Sequence, residues 1–569
     1  MRKRVLIIGG TGIFGQKLCH HLATHFNLDL VISSRSENNA INYVHKLKRR
    51  YPDKSFDYVA LNTSEDIENI LKRLSPDITI DCSGPFQSAD YEIAKAALKS
   101  GSHFVDLADA PKYLSGYCDA LNDLATQNEV ASIGGASSSP CFTIAVAQQL
   151  CSDWRRVDDI EIAFVPGGKG DVGPSVIQAI LSYAGKPIST WREGKLDQTA
   201  GWANSKPLQI GALGWRQTAP AETYDAEYLG EALSVKSTVS FSAGLESPIE
   251  HYGVILLAKL AKWGLPVGQK SVSCPLSRLL HKIRFAIKPF VTGRGGMIVR
   301  ARGINADGVY QSSEYELIAE QNQGPNIPIL PTAAVIRKLL TKTISTGAAL
   351  AFDTVDVADI EAECAPYPIY TQVLNDYPST GIYQRYLGVQ MYQDLPASLQ
   401  KFHKIDGYPV WCGTADISSG NSLAARIVSK IVGFPASGKD VPVTVSVQSG
   451  INQHAGLSET WTRNFAGKCF SSELSIDKSG TFRELFGNLS FEIGLDVVDG
   501  AIVMPIKSWK IETPLGALPM PLGLAPTSKT REFADENGVF NFDVEVNLPL
   551  FGLLAHYRGK LRPSDDTIS

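Results

Sequence analysis

The N-terminal part of the sequence predicts an α/β fold in which helices cover both faces of a doubly wound parallel sheet. Apolar, β-branched runs alternate with amphipathic patterns of helical period over residues 1–150. Parallel strands are buried on both faces, so their sequences are continuously apolar and are separated by helical crossovers. The strand-type runs are VLIIGG, LDLVISS, DYVALN, DITIDCSG, HFVDLA and VASIGG. The helical patterns between them are FGQKLCHHLATHF, NAINYVHKLKRRY, SEDIENILKRL, ADYEIAKAALKSG and LSGYCDALNDLATQN.

The turn after the first strand has the composition of a phosphate-binding loop. GGTGIFG contains Gly9, Gly12 and Gly15 at GxxGxxG spacing, and Thr11 and Ile13 lie between these glycines. The first glycine permits a tight turn, the second lets a pyrophosphate approach the backbone, and the third lets the helix pack closely on the sheet. The N-terminus of that helix presents free N–H groups and a positive dipole end. We therefore expect a Rossmann-type site in which these five residues contact a dinucleotide.

The end of the second strand indicates which dinucleotide binds. LDLVISSRSE places Arg35 where an Asp or Glu would hold the ribose 2′-hydroxyl of NAD. An arginine there accommodates the 2′-phosphate of NADP, and Ser33 and Ser34 add hydroxyl donors. A charge-assisted arginine–phosphate contact contributes about 1.5–3 kcal/mol, or about 10- to 100-fold in affinity. The sequence predicts NADP(H) as the cofactor. The alternative is a solvent-exposed arginine that starts a helix.

Two further turns follow strands of the same sheet. Ser83 and Gly84 in CSGPF follow the fourth strand and are expected to lie under the nicotinamide-side ribose. Asp106 and Asp109 in HFVDLADAP come at the end of the fifth strand, where a carboxylate can bind substrate or transfer protons. Asp109 comes just before PKYLSGY, so we interpret it as the N-cap of the next helix. Asp106 is our candidate for the catalytic proton donor.

These motifs occur in the order typical of one enzyme family. GGTGIFG, SSR, CSGPFQSADYEIAKAALKSGSHFVDLAD and GGASSSPCFTIAV resemble the saccharopine-dehydrogenase-like reductases. The resemblance implies an NADP-binding domain at 1–150, an inserted α/β domain for substrate binding or oligomerisation at 151–323, and a return of the chain at about 324–365. GPNIPILPTAAVIRKLL would begin the return, with a helix after Pro331. The middle segment has no recognisable set of residues for binding saccharopine, and the wider family includes reductases of lipid enoyl groups.

The middle segment combines strand patterns with a basic stretch that has no acid. DDIEIAFVP, VKSTVSFSA, GMIVRARGI and SSEYELIAE predict strands. YGVILLAKLAKWGL and LSRLLHKIRFAIKPF combine cations with apolar residues, which is typical of helices on an anionic membrane surface. The alternatives are two helices that cover the substrate pocket, or cations that hold an anionic or carrier-bound acyl substrate. The cations between His251 and Ala306 are Lys259, Lys262, Lys270, Arg278, Lys282, Arg284, Lys288, Arg294, Arg300 and Arg302.

The pattern changes again towards the C-terminus. We interpret AECAPYPIYTQVLNDYPSTG as the boundary before a β-rich (α+β) domain at 380–563. GIYQRYLGVQMYQDLPASLQKFHK and SLAARIVSKIVGF predict a helical cap, and the strand-type stretches that follow predict an antiparallel sheet or barrel. WTRNFAGKCFSS, RELFG, ALPMPLGLAP and LPLFGLLAHYRGKL resemble a domain of unknown function fused to these reductases. That resemblance implies no chemistry.

Two uses of this C-terminal sheet follow from its side chains. A His–Glu pair could perform acid–base work and arginines could hold an anion. The sheet with its several aromatics could instead enclose an apolar ligand. The candidate site residues are His403, Arg463, Glu484, His556 and Arg558.

Composition argues against several other classes of function. A net charge of −4 over 569 residues gives no chain-wide attraction to nucleic acid. The nine cysteines include no CxxC pair and no zinc-type cluster, so we expect no metal site and reduced thiols in the cytoplasm. MRKRVLIIGG has a short apolar run, which favours a first strand over a signal peptide. The sequence contains no stretch of about 18 apolar residues, so we predict no membrane-spanning helix.

These observations predict an NADP-dependent oxidoreductase. Hydride would pass between the nicotinamide and a substrate carbon held about 3–3.5 Å away. The substrate is expected to be an imine or amino-acid adduct, or an enoyl or other lipid-like acceptor. The alternative is a non-catalytic NADPH-binding sensor whose C-terminal domain recognises a lipid or a partner. A homodimer and a peripheral membrane contact through 251–306 are both left open.

Overall fold

The computed structural model describes residues 2–564 with several gaps. The gaps are 62–66, 171–173, 268–269, 377–380, 405–409, 421–434, 436, 452–456, 477–479, 514–515 and 550–551. The predicted helical stretch SLAARIVSKIVGF, residues 422–434, lies outside the described residues.

The N-terminal segment alternates strands and helices as the sequence pattern predicts. The elements are β1 (Lys3–Ile8), α1 (Ile13–His25), β2 (Leu28–Ser34), α2 (Glu37–Arg50), β3 (Ser55–Ala60), α3 (Ile67–Leu74), β4 (Ile78–Asp81), α4 (Glu92–Lys99), β5 (His103–Asp106), α5 (Pro111–Ser115), α6 (Tyr117–Gln127), β6 (Ala131–Gly134) and α7 (Thr143–Leu150). Val5, Leu6 and Ile7 of the interior strand β1 are fully buried, as expected for a strand with helices on both faces.

The middle segment forms a mixed sheet with helices. Its elements are β7 (Arg156–Val165), α8 (Pro174–Tyr183), β8 (Pro187–Arg192), β9 (Lys195–Ala200), β10 (Lys206–Gln209), β11 (Trp215–Pro220), α9 (Asp225–Ala232), β12 (Thr238–Gly244), α10 (Pro248–Lys262), α11 (Lys270–Ile287), β13 (Gly295–Ile304) and β14 (Tyr310–Ala319). The strand order is β10-β11-β12-β7-β13-β14 and then one later strand, and the β8–β9 hairpin pairs with β12. β7 and β12 are parallel, whereas the other pairs in this sheet are antiparallel.

The chain then returns to the first sheet before it adds a strand to the second. The elements are α12 (Leu330–Leu340), β15 (Gly347–Leu350), α13 (Val357–Cys364) and β16 (Ile369–Asp376). The first sheet has the order β15-β6-β5-β4-β1-β2-β3 and is parallel throughout. The order reverses between β1 and β4, which is where doubly wound sheets leave a crevice for ligands. β16 pairs with β14, so part of the segment that the sequence suggested as a boundary is a strand of the middle sheet.

In its described residues the C-terminal segment has three short α-helices and one large antiparallel sheet. Its elements are α14 (Ile382–Leu387), α15 (Val389–Gln393), α16 (Ala397–Phe402), β17 (Val410–Ser419), β18 (Gly438–Ile451), β19 (Leu457–Phe465), β20 (Lys468–Ile476), β21 (Phe482–Phe486), β22 (Leu489–Ile493), β23 (Asp496–Val498), β24 (Ala501–Val503), β25 (Ile506–Thr513), β26 (Gly516–Met520), β27 (Thr527–Ala534), β28 (Phe540–Leu548) and β29 (Gly552–Pro563). The order is β23-β24-β27-β28-β29-β17-β18-β19-β20-β21-β22-β25-β26. The antiparallel sheet after a helical cap is therefore confirmed.

The acid-free basic stretch is divided between the two helices and β13. Arg300 Nη1 lies 2.6 Å from Glu161 Oε2, and the same guanidinium also pairs with Glu314. Arg302 is buried and lies 3.7 Å from Glu161. These cations are neutralised by acids on neighbouring strands, so the stretch does not form one continuous basic surface.

Asp106 holds three loops together at the carboxyl end of the first sheet. Its side chain is 0 % exposed. Oδ1 accepts hydrogen bonds from the backbone N–H groups of Ala108 at 3.0 Å and Gly135 at 2.8 Å, and Oδ2 accepts one from the Tyr113 hydroxyl at 3.0 Å. Asp106 does not line the neighbouring cleft. The expected proton donor therefore has no geometrical support, and its contacts indicate that Asp106 shapes the loops instead.

Burial raises the pKa of Asp106 to about 7, which predicts a pH-dependent contribution to stability. Asp106→Asn keeps the side-chain shape and removes this titration. Because the folded-state pKa lies above the unfolded one, protonation stabilises the fold at low pH and this stabilisation is lost as the pH rises towards 7. We expect the free energy of unfolding of the wild type, relative to Asp106→Asn, to fall by up to ~1.4 kcal/mol per pH unit between about pH 4 and 7. Urea denaturation at several pH values measures this difference, and a constant difference across the range would contradict it.

Candidate nucleotide and substrate cleft

The turn after β1 is built on backbone geometry that requires glycine. Gly9 has φ +70°, and a Cβ there would lie 3.0 Å from the carbonyl of Cys82 and from Cα of Ser83. The backbone N–H of Gly12 donates to the Gly9 carbonyl at 2.9 Å and closes the turn. The turn after β1 therefore lies directly against the turn after β4, at the crevice between the two strands.

Helix α1 begins immediately above this turn. A Cβ on Gly15 would lie 2.3 Å from the Gly9 carbonyl oxygen, so only glycine lets the helix sit this close. Gly12 is the N-cap and no side chain caps the helix. The N–H groups of the first turn have no intrahelical partner, and the positive end of the helix dipole points the same way. Because Thr11, Gly12 and Ile13 line the cleft, this helix end can hold a pyrophosphate.

The end of β2 forms the next part of the cleft. Thr11 Oγ1 donates to Ser34 Oγ at 3.1 Å, which connects the glycine turn to this strand. Arg35 is exposed and lines the cleft together with Ser34 and Ser36. Ser33 is buried, although it also borders the cleft. Among the described cleft residues at this end there is no carboxylate, which suits a ligand with an additional phosphate.

The turn after β4 continues the same wall. The backbone N–H of Ser83 donates to Oδ1 of the buried Asp81 at 2.8 Å, and the cleft is lined here by Ser83, Gly84 and Pro85. Asp81 therefore fixes the turn from behind while Ser83 and Gly84 face the space that a ligand would fill. The structure thus places all the residues suggested for the cofactor around one cleft, except that Gly15 is buried beneath it.

Asp109 does not cap helix α5. The N-cap residue is Ala110, and Pro111 takes the first helical position. Asp109 is exposed and accepts a hydrogen bond from Gln87 Nε2 at 3.2 Å. The N-cap prediction is therefore wrong, because the helix starts one residue later than the capping pattern requires.

The opposite wall of the cleft comes from the middle segment. Tyr183 at the end of α8, Lys186 and Glu222 line it, and Lys112 faces them from α5. Burial and the nearby Asp109 raise the pKa of Glu222, an effect opposed by Lys186 and Lys112. Burial also raises the pKa of the Tyr183 hydroxyl. The sequence did not reveal this group because its members come from separate elements and follow no motif.

The two walls enclose a cleft of about 1540 Å³. Its dimensions leave space for a dinucleotide and a further molecule. Ser273 and Arg278 of α11 also line it, so this helix covers part of the pocket, which was one of the alternatives for the basic stretch.

The C-terminal candidates lie on two sides of their sheet. Arg463 and Glu484 face its interior, and His403 is buried beside it, where its Nε2 lies 2.8 Å from Glu532 Oε2. His556 and Arg558 instead belong to β29, away from the lining of that interior. His556 Nε2 lies 2.7 Å from Asp543 Oδ1, and Arg558 is exposed. The structure therefore brings His403, Arg463 and Glu484 together and leaves the other two outside.

Solved structures with a similar arrangement include several dehydrogenases. Saccharopine dehydrogenase (L-Glu forming) from Saccharomyces cerevisiae is 12 % identical and has a TM-score of 0.44, and the match covers 66 % of this chain and 100 % of the yeast chain. DAP dehydrogenase from C. glutamicum is 15 % identical at a TM-score of 0.35, with 63 % and 98 % covered. An engineered D-amino acid dehydrogenase bound to NADP+ is 14 % identical at a TM-score of 0.35, with 64 % and 99 % covered. These values are too low to bear on the chemistry of this chain.

Two family models match the chain, whereas the comparison with curated proteins finds no match. The saccharopine dehydrogenase NADP binding domain matches residues 5–133, which include the turns after β1, β2 and β4. A domain of unknown function (DUF4166) matches residues 395–561, which include most of the C-terminal sheet. Both resemblances drawn from the sequence are thus confirmed. The chain therefore carries a saccharopine dehydrogenase NADP binding domain at its N-terminal end and a domain of unknown function at its C-terminal end.

Proposed function

We propose that this protein is an NADPH-dependent oxidoreductase of the saccharopine-dehydrogenase-like type. The observation that carries the proposal is a single cleft in which the turns after β1, β2 and β4, from the segment that matches an NADP binding domain, face a wall of titratable side chains. NADPH supplies the hydride when it is bound, so the protein needs to orient the substrate and transfer one proton.

The cofactor is assigned to the residues that form the floor of the cleft. Gly9, Thr11, Gly12 and Ile13 at the start of α1 would hold the pyrophosphate, with Gly15 beneath them to allow the close approach. The turns after β2 and β4 extend this binding surface in opposite directions along the sheet. Ser34 and Arg35 would hold the 2′-phosphate, and Ser83 and Gly84 the inner ribose.

Glu222 is the side chain best suited to donate the proton. A raised pKa keeps a carboxyl group protonated closer to neutral pH, and such a group is an effective general acid. Hydride transfer to the substrate carbon would be balanced by this proton, which passes to the adjoining nitrogen or carbon, and Glu222 would be left as a carboxylate. Lys186 would then stabilise the negative charge.

The substrate contains a reducible C=N bond or a C=C bond conjugated to a carbonyl. Lys112 and Lys186 can bind an anionic group on either kind of molecule, as in an amino-acid adduct or an enoyl thioester. Apolar side chains on α8 and β8, among them Val176, Ala179 and Ile188, can contact an acyl chain. The cleft thus supports both of the substrate classes that the sequence left open.

A second proposal concerns the helix α10 and a membrane. Ile249, Tyr252, Leu256 and Trp263 follow helical spacing along one face and are exposed, Trp263 by 79 %. Lys259 and Lys262 are exposed beside them. No helix in the described part of the chain is long and apolar enough to cross a membrane. An apolar face flanked by lysines instead fits the interface of an anionic bilayer.

The first test of the oxidoreductase proposal is the cofactor preference of Arg35→Ala. We expect calorimetric titration to show NADPH binding weakened about 10- to 100-fold, because the variant loses a charge-assisted contact of about 1.5–3 kcal/mol. NADH binding should change little, since NADH lacks the 2′-phosphate. Arg49→Ala, which removes an exposed cation of α2 outside the cleft, is the matched control and should bind NADPH normally. Equal weakening of both dinucleotides would refute the assigned role of Arg35.

The second test concerns the proton donor. Wild type is assayed with NADPH against imines and enoyl thioesters, and Glu222→Gln is then compared on an accepted substrate. We expect kcat to fall about 100-fold or more with the Kd for NADPH unchanged, because general acid catalysis contributes about 10²–10⁴-fold. The wild-type rate should also fall as the pH rises through the pKa of Glu222, a dependence that the variant loses. Glu227→Gln in the same cleft is the matched control. If none of the imines and enoyl thioesters oxidises NADPH, the result would favour the alternative of a non-catalytic NADPH-binding sensor.

Sedimentation with liposomes tests the membrane proposal. The double variant Leu256→Ser/Trp263→Ser should bind anionic vesicles about 10-fold or more weakly than wild type at low salt, since burying one such side chain contributes about 1.5–3 kcal/mol. Leu196→Ser is the control, because Leu196 is an exposed apolar residue of β9 and not of α10. If the wild-type protein stays in the supernatant with anionic vesicles at low salt, the membrane proposal is refuted.

A further inference from the structure

The inner face of the C-terminal sheet encloses a second cavity, separate from the nucleotide cleft. Alternation along β28 places Phe542, Val544 and Val546 on this inner face, and the corresponding positions of β20 and β21 add Phe470 and Phe486. The cavity has a volume of about 200 Å³ and its wall is mainly aromatic and aliphatic. A space of this kind binds apolar molecules and excludes strongly hydrated ones.

The helical cap contributes a hydrogen-bonding group to this apolar space. Tyr383 of α14 lines the cavity and is 0 % exposed. Its ring stacks on His403 at a centroid distance of 3.6 Å, so its position is fixed. Within the described part of the chain its hydroxyl has no hydrogen-bond partner. Buried hydroxyls are rarely left without a partner, so this one points to a ligand atom.

The charges around the cavity indicate the kind of ligand. Arg463 lies 3.9 Å from Glu484, donates to Ser472 Oγ at 2.9 Å, and stacks over Trp461 at 5.3 Å from the ring centroid. Its positive charge is thus already compensated. Glu532, which also lines the cavity, adds a second carboxylate. A ligand with its own negative charge would meet more repulsion than attraction here.

The protonation of the Tyr383 hydroxyl agrees with a preference for an uncharged ligand. Burial and the carboxylates of Glu532, Glu459 and Glu484 raise the pKa of its hydroxyl, so the group stays protonated and can donate. Its natural partner is an uncharged oxygen with a free lone pair, such as that of a ketone, an ester or an alcohol.

We propose that the C-terminal domain binds an uncharged lipid-like molecule inside its sheet, with an oxygen of the ligand accepting a hydrogen bond from Tyr383. The chain of the ligand lies against the aromatic wall and its polar end meets the helical cap. This binding site does not depend on the proposed oxidoreductase activity, because it uses other residues and another part of the chain.

Calorimetric titration of the full-length protein with 2-decanone tests the proposal, with sodium decanoate as the charged comparison. We expect saturable 1:1 binding of the ketone and at least about 10-fold weaker binding of the carboxylate at pH 8. Tyr383→Phe should weaken binding of the ketone about 2- to 10-fold through loss of one hydrogen bond. The Tm of that variant without ligand should equal or exceed the wild-type value, because the substitution removes a buried hydroxyl that has no partner.

A filling substitution locates the site. Val544→Trp places a large ring in the cavity and should abolish binding, whereas Val498→Trp, at an exposed position on β23, should not affect it. Arg35→Ala and saturating NADPH should both leave the affinity for the ketone unchanged, which separates this site from the cleft. Absence of saturable binding, unchanged binding in Val544→Trp, or tighter binding of decanoate than of the ketone would each overturn the proposal.

Discussion

The close approach of α1 to the turn after β1 is the constraint on which the nucleotide cleft depends. A Cβ at Gly15 would lie 2.3 Å from the Gly9 carbonyl oxygen, and a Cβ at Gly9 would press on the backbone of Cys82. Any larger residue would push the helix away from the sheet and separate the turns after β1 and β4. The N–H groups of the helix and the side chain of Arg35 would then no longer face the same space. The absence of side chains at Gly9 and Gly15 thus sets the geometry of the nucleotide side of the cleft.

Charge in the middle segment shows why local sequence is a poor guide to surface potential. The stretch from His251 to Ala306 has no acid in sequence, yet Arg300 and Arg302 meet Glu161 across the strands of a sheet. Burying these cations without partners would cost several kcal/mol each, so the fold must supply acids from elsewhere. The cations that remain exposed are concentrated on the helices, where an interaction with an anionic surface needs no such compensation.

The sequence was informative where one local pattern suffices and uninformative where distant residues meet. Helix and strand periodicity predicted the six strands and the helices α1–α6 of the first 150 residues but not α7, and the turns after the strands predicted residues that line one side of the cleft. The group around Glu222 could not be predicted, since burial and the neighbour Asp109 create its properties. Asp106 and Asp109 look equivalent in sequence, but one is buried with three donors and the other is exposed. In the C-terminal sheet, the sequence pattern does not predict β17, β26 and β27, because glycine, proline or charged residues interrupt their strand patterns.

The nucleotide cleft and the C-terminal cavity favour ligands of opposite character, and two hairpins connect their walls. The β8–β9 hairpin lines the cleft at Ile188, and the β19–β20 hairpin lines the cavity at Phe465 and Phe470. Where these hairpins meet, Asn464 Nδ2 donates to Glu193 Oε1 at 3.1 Å and Arg192 Nη1 donates to Cys469 Sγ at 3.9 Å. A hydrogen bond to a charged group contributes about 1.5–3 kcal/mol, and a ligand can shift a neighbouring equilibrium only by its differential affinity for the two states. Neither contact involves a residue that lines the cleft or the cavity, so a ligand in one site has no direct means of changing the other, and we expect the two sites to bind their ligands independently.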